Sequence, residues 1–129
     1  MKKVLVVDDS ATNRMLIIEA LQGRAACVEA VDGVDAVEKY MKAANAFDLA
    51  FLDIAMPRMD GVEVLKTIRA HESKMKTPPA SCLPVILITG FPDRVPEGLE
   101  YGAGDYLVKP VFPELLVHKF EKFSRGGDR

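Results

Sequence analysis

Five side chains carry chemistry that none of them could perform alone: Asp8 and Asp9 directly after one apolar run, Asp53 after a second, Thr89 ending a third and Lys109 ending a fourth. If the three aspartates meet, they repel, since two unit charges about 4 Å apart interact by roughly 4 kcal/mol at an effective dielectric of 20. A cation has to offset this. Clustered oxygen ligands with room for water suit Mg²⁺, which is usually held by one or two carboxylates plus phosphate oxygens, and Lys109 adds a further positive charge. A carboxylate is also a nucleophile toward phosphorus, and the transition state leading to an aspartyl phosphate needs cations and donors around its equatorial oxygens. Mg²⁺, Lys109 and the Thr89 hydroxyl meet that need.

The elements that must position these groups are read from short apolar runs alternating with amphipathic stretches, the pattern of a parallel sheet wrapped by helices, with the strands fully buried. Val4–Val7 is the first strand; Ser10 or Asp9 caps a helix through about Leu21, with Met15, Ile18 and Leu21 on one face. Ala26–Val31 reads as the second strand, Asp32-Gly33 as a turn, and Asp35 to about Ala44 as a helix with Ala36, Tyr40 and Ala44 on one face, stopped by Asn45. Leu49–Leu52 is the third strand, ending at Asp53. After the loop through Asp60, which caps the next helix, Val62, Leu65, Ile68 and Arg69 repeat at helical spacing.

From His71 to Leu83 the pattern dissolves into a linker longer than usual for an α/β unit. Val85–Thr89 is the fourth strand. Pro92, Pro96, Gly98, Gly102 and Gly104 then predict a short or irregular helix. Tyr106–Val108 is the fifth strand, and Pro113 opens a last helix with Leu116, Phe120 and Phe123 inward. In such a sheet the ligand site lies at the carboxyl ends of the strands, and all five functional groups fall there.

Composition excludes several classes. With 49% hydrophobic and 28% charged residues the chain is expected to pack one core rather than remain disordered. A net charge of −2 supplies no general attraction to nucleic acid or anionic lipid, so no direct nucleic-acid partner is expected. The amino-terminal apolar run ends at Asp8, too soon for a signal peptide, and no run is long enough for a membrane span, which points to a cytoplasmic protein. Cys27 and Cys82 have neither disulfide nor metal spacing and read as free thiols. His71 and His118 lack paired-ligand spacing and read as surface residues, and the methionines as filler.

Four motifs, in order, carry a resemblance: Val-Leu-Val-Val-Asp8-Asp9, Leu-Asp53-Ile-Ala-Met56-Pro57-Arg-Met59-Asp60-Gly61, Ile-Thr89-Gly90, and Gly102-Ala103-Gly104-Asp105-Tyr106-Leu-Val-Lys109-Pro110. Together they resemble the receiver domains of two-component response regulators, including chemotaxis-type regulators, from about Lys2 to Phe123. The resemblance implies a flavodoxin-like α/β fold, a three-layer αβα sandwich on a five-stranded parallel sheet of order 2-1-3-4-5, with a receiver domain over 1–124 and a C-terminal tail over 125–129. It implies that Asp53 accepts a phosphoryl group from a histidine kinase or a histidine phosphotransfer protein, and later sheds it, in a switch rather than an enzyme.

By the same carry-over Mg²⁺, with Mn²⁺ or Ca²⁺ as substitutes, is bound by Asp9, Asp53 and the backbone carbonyl of Ala55, with Asp8 acting through water. Lys109 and Thr89 contact the phosphoryl oxygens, Lys109-Pro110 is cis, and Tyr106 is the switch aromatic, although core packing alone also explains a tyrosine there. The downstream protein partner is implied on the face of helix four, strand five and helix five.

Departures from the pattern refine this. Ala55, two residues after Asp53, and Phe91, two after Thr89, stand where polar side chains often tune the phosphoryl lifetime, so Phe91 is expected to limit water access and prolong it. An aspartate-nucleophile phosphatase needs a general acid where Ala55 stands. Flavin binding wants a phosphate loop where Asp8 and Asp9 would repel the phosphate. A degenerate receiver, which binds partners without phosphorylation, would have lost a key group, and none is lost. A receiver cut from a hybrid kinase or transcription factor remains an alternative.

Overall fold

The computed structural model describes residues 1–43 and 46–125. Five parallel strands, β1 (Lys2–Val7), β2 (Ala25–Ala30), β3 (Leu49–Asp53), β4 (Val85–Thr89) and β5 (Asp105–Val108), form one sheet of order β2-β1-β3-β4-β5. Five helices cover it: α1 (Ala11–Ala20), α2 (Gly33–Lys42), α3 (Gly61–Lys74), α4 (Val95–Glu100) and α5 (Pro113–Phe123). The flavodoxin-like α/β fold follows from the pleat, because successive side chains of a strand point to opposite faces. Leu5, Val7, Ala50, Leu52, Val85 and Leu87 pack against α2, α3 and α4, while Val4, Val6, Leu49, Phe51, Ile86 and Ile88 pack against α1 and α5. Such two-sided burial is why central strands read as unbroken apolar runs.

Full burial holds for β3 and β4 but not for β2 and β5, each of which has a strand neighbour on one side only. β2 accordingly starts one residue before the expected position and leaves Val31 outside. Ser10 caps α1, accepting from the Asn13 amide. The inward stripe of α1 is Ile17 followed by Leu21; Met15 faces solvent at 56% exposure, because the phase of the helix turns Arg14, not Met15, toward the sheet edge, where it bonds the Asp8 carbonyl oxygen. Asp32 is the N-cap of α2 rather than part of a free turn, accepting from the Asp35 amide. Ala36 and Tyr40 face inward as expected; Ala44 and Asn45, and residues 126–129 of the expected tail, lie outside the described residues.

α3 runs to Lys74, well into the stretch expected to be a linker. A tertiary contact holds its last turn: the buried Glu72 carboxylate, paired within the helix with Arg69 at 2.7 Å, accepts from the Leu83 amide at 2.6 Å. This also fixes the far end of the loop 75–84, which contains a 3-10 turn at Pro79–Ser81. The fourth helix is short and irregular as expected, a 3-10 turn at Pro92–Arg94 leading into six α residues. Lys109-Pro110 is cis. Pro113 is the first residue of α5, which buries Leu116 and Phe120 and half-buries Phe123.

Candidate functional site

Parallel pairing places the carboxyl ends of β1, β3, β4 and β5 side by side, with Asp53 opposite Ile88 and Thr89 opposite Val108. Asp8 follows β1 and Asp53 is the last residue of β3; both are buried, at 0% and 1% exposure, whereas Asp9 is exposed. One carboxylate oxygen from each of Asp8, Asp9 and Asp53 lies within 4.8 Å of the others. Lys109, at the end of β5, reaches in from the side, its Nζ 3.2 Å from Asp53 Oδ1 and 3.3 Å from Asp8 Oδ2.

Hydrogen bonding inside the cluster is incomplete. Asp8 Oδ1 accepts from the Ser10 amide at 2.9 Å, yet Asp8 Oδ2 and both oxygens of Asp53 are buried without a hydrogen-bond donor, Lys109 being in ion-pair range but not aligned. The Lys109 charge offsets part of the desolvation cost at Asp8 Oδ2 and Asp53 Oδ1, whereas Asp53 Oδ2 has neither donor nor cation and bears that cost in full. Burial first, and the charge of Asp8 second, push the Asp53 carboxyl up to about 6 against the pull of Lys109. Burial alone would lower Lys109, but the Asp53 and Asp8 carboxylates outweigh it and hold the ammonium above its usual range.

This donor set fits a small hard cation. The oxygens of an octahedral Mg²⁺ shell lie roughly 3–4 Å apart at bond lengths of about 2.1 Å, compatible with the separations here. Asp53 Oδ2, which faces neither a donor nor Lys109, is an oxygen that such an ion would satisfy. Ala55, whose carbonyl is the further expected ligand, is exposed in the turn after β3.

Thr89 is buried at the end of β4, and its hydroxyl is committed to the following loop: Oγ1 donates to the Phe91 carbonyl oxygen at 2.8 Å and accepts from the Phe91 amide at 3.0 Å. Thr89, Ala55 and Phe91 line one cavity together with Ile54, the residue after Asp53, and with Asp60 and Arg94. Phe91 is 74% exposed at its rim. Tyr106, on β5, is 40% exposed rather than packed in the core.

Two contributors escaped the sequence reading. Arg14 donates to the Asp8 carbonyl oxygen at 2.7 Å and pairs with Glu29, steadying the turn after β1. Arg94 bonds Asp60 Oδ2 at 2.5 Å, joining the loops after β3 and β4. A cation one turn into the helix after an acidic strand end was the available signal for Arg14; Arg94 left none, since its partner lies 34 residues away.

Comparison with known proteins places the chain among close structural kin. The family profile described as the response regulator receiver domain matches residues 4–121. The chemotaxis protein CheY of Thermotoga maritima is 35% identical over 126 residues, covering 96% of this chain and 98% of that protein. The structure of chemotaxis protein CheY4 of Vibrio cholerae superposes with a TM-score of 0.81 at 35% identity, covering 95% of this chain and 98% of that one. A chain of the CheX–CheY–BeF3–Mg²⁺ complex of Borrelia burgdorferi superposes with a TM-score of 0.81 at 28% identity, covering 94% of this chain and 87% of that one.

Proposed function

The chain belongs to the response regulator receiver domain family, and from that premise we propose that Asp53 is a phosphoacceptor whose occupancy switches the protein between two signalling states. The observation that carries the reading is the Asp53 carboxylate itself, buried without a hydrogen-bond donor beside Asp8 and Asp9 and facing Lys109.

An Asp53 oxygen attacks the phosphorus of a phosphohistidine on a histidine kinase or phosphotransfer protein. The new P–O bond replaces the P–N bond, and the imidazole leaves with the electron pair. Lys109 is already within salt-bridge distance of Asp53 and needs little movement to meet a phosphoryl oxygen. Asp9, Asp53 and the Ala55 carbonyl are the groups to hold Mg²⁺, with Asp8 acting through water. Bound there, the ion neutralises charge on the phosphoryl oxygens. Water attack on phosphorus later returns the carboxylate and releases inorganic phosphate.

The switch follows from the hydroxyl of Thr89. To donate its single proton to a phosphoryl oxygen it must give up the bond it donates to the Phe91 carbonyl oxygen, so phosphorylation and the conformation of the loop after β4 are linked by population shift. Tyr106 then has the space that Thr89 vacates. Leu99, Tyr106, Val108 and Leu115 leave apolar surface on α4, β5 and α5, where a downstream protein would dock. No helix of the described residues is long and apolar enough to cross a membrane; a cytoplasmic location is part of the proposal.

Incubation with acetyl phosphate and Mg²⁺ followed by intact-mass measurement tests this. Wild type should gain one phosphoryl group, Asp53→Asn none, and EDTA should abolish the gain. Addition that survives Asp53→Asn, or none in the wild type, overturns the reading.

A further inference from the structure

The readout helix α4 has little holding it together from within. It is six residues long, contains Gly98, and its N-cap residue Arg94 makes no side-chain capping bond. A helix of that length is not stable by itself. Val95 and the close packing of Gly98 on Leu87 seat α4 on the sheet, Arg69 of α3 bonds the carbonyl oxygens of Tyr101 and Gly102 at its far end, and its entry is held by ion pairs. Arg94 bridges Asp60 Oδ2 at 2.5 Å and Glu97 Oε1 at 2.9 Å, and Lys66 closes the network on Glu97 Oε2 at 3.2 Å.

Asp60 is also the N-cap of α3, where it accepts from the Glu63 amide at 2.9 Å in a capping box. One carboxylate therefore fixes the start of α3, which follows the Asp53 turn, and the entry to α4, which follows Thr89. Arg94 is three residues beyond Phe91, whose backbone holds the Thr89 hydroxyl.

We propose that Arg94 is a positioning residue: its bridge between Asp60 and Glu97 latches the loop after β4 in the conformation that keeps the Thr89 hydroxyl on Phe91, and so sets the threshold for switching. The inference rests on the phosphoacceptor reading of Asp53. Releasing the Thr89 hydroxyl moves residues 90–93, and the latch is the next fixed point along the chain. A contact made in one state only shifts the equilibrium by its own free energy. Removing it favours the switched state and tightens any ligand selective for that state. The pair is partly exposed, with Arg94 and Asp60 side chains at 40% and 20%, so salt should loosen the latch by screening.

The probe is trifluoroberyllate with saturating Mg²⁺, titrated by isothermal calorimetry. Asp60→Asn removes the charge while keeping a good N-cap residue, so the fold of α3 is preserved. Arg94→Ala and Asp60→Asn should each bind trifluoroberyllate roughly two- to fivefold more tightly than wild type, the range open to a partly exposed ion pair. Added KCl alters ion binding at the site in all the proteins, but the ratio of variant to wild-type affinity should shrink toward one as salt screens the latch, a response that general loosening of the fold would not give. Arg94→Lys should fall between, since an ammonium keeps one pair but not the fork. Variants with wild-type or weaker affinity, or the same salt response in all proteins, overturn the latch and leave the receiver reading standing. Failure of wild type itself to bind trifluoroberyllate at any concentration overturns both.

Discussion

The Lys109 ammonium stands 3.2 Å from Asp53 Oδ1 and is shared with Asp8 at 3.3 Å, so one positive charge faces two buried carboxylates. The cluster is short of positive charge by construction, and Asp9 deepens the deficit at the rim. Sites of this kind are held together by the rest of the fold rather than by their own contacts, and the imbalance is what gives a cation and a phosphoryl group something to stabilise.

Stability should therefore rise when Asp53 is neutralised. The folded carboxyl titrates near 6 against a reference of 3.8, so between those values the folded state holds more protons than the unfolded one. Stability is lost as pH rises through this window, and the penalty is complete above it. Asp53→Asn should gain about 1–2 kcal/mol at neutral pH, a figure discounted for water at the open mouth of the site, with the gain vanishing below about pH 4. Urea unfolding of both proteins in EDTA across that range measures the difference; a gain that stays flat with pH would contradict the assignment.

Phe91→Glu should shorten the life of the phosphorylated state. Neither Ala55 nor Phe91 offers a side-chain group that orients an attacking water, while both line the cavity that Thr89 and Ile54 share. A carboxylate at Phe91 introduces such a group, and decay of labelled protein should accelerate at least about twofold, well short of the roughly 10²-fold of a fully positioned base because nothing fixes the new side chain. Unchanged or slower decay would show that Phe91, 74% exposed, does not govern water access.

At the opposite end of the sheet, Glu72→Ala removes the acceptor of the Leu83 amide and the partner of Arg69. The amide, buried with Leu83, is then unsatisfied, which costs about 1–3 kcal/mol. Urea unfolding should show that loss and amide exchange at Leu83 should quicken, with trifluoroberyllate binding unchanged. A loss under about 0.5 kcal/mol would mean that water replaces the carboxylate at no cost.

The same Glu72 illustrates where the sequence was hard to read. Central strands such as Val85–Thr89 and the opening of α5 at Pro113 were legible because burial on both faces and the fixed φ of proline leave local marks. The last turn of α3 carries no apolar periodicity of its own, because what holds it is the bond from the Leu83 amide to Glu72 across a polar stretch of chain. The face of α1 was misphased for a similar reason, its orientation being set by Arg14 reaching Asp8. At the site, the convergence of Asp8, Asp53, Thr89 and Lys109 follows from strand ends alone. The commitment of the Thr89 hydroxyl to Phe91, and the Arg94 bridge, depend on loop geometry that no periodicity encodes.

Gly61 joins the two ends of that problem, since it was legible as the residue after a helix cap but not as part of the site. A Cβ on it would lie 2.2 Å from the Asp53 carbonyl oxygen and 2.9 Å from its carbonyl carbon. Both are backbone atoms of the residue that carries the proposed acceptor, so no side-chain rotation relieves the clash. Helix propensity alone favours alanine by about 1 kcal/mol, but overpacking costs of about 1–3 kcal/mol act in the other direction, and a contact this short belongs at the upper end. Gly61→Ala should thus be destabilised by roughly 1–2 kcal/mol net. Because the strain lands on the Asp53 peptide, phosphorylation by acetyl phosphate should slow even where unfolding measurements show the variant folded. Wild-type stability and a wild-type phosphorylation rate together would mean that the turn after β3 yields freely, and that the position of Asp53 is set by β3 alone.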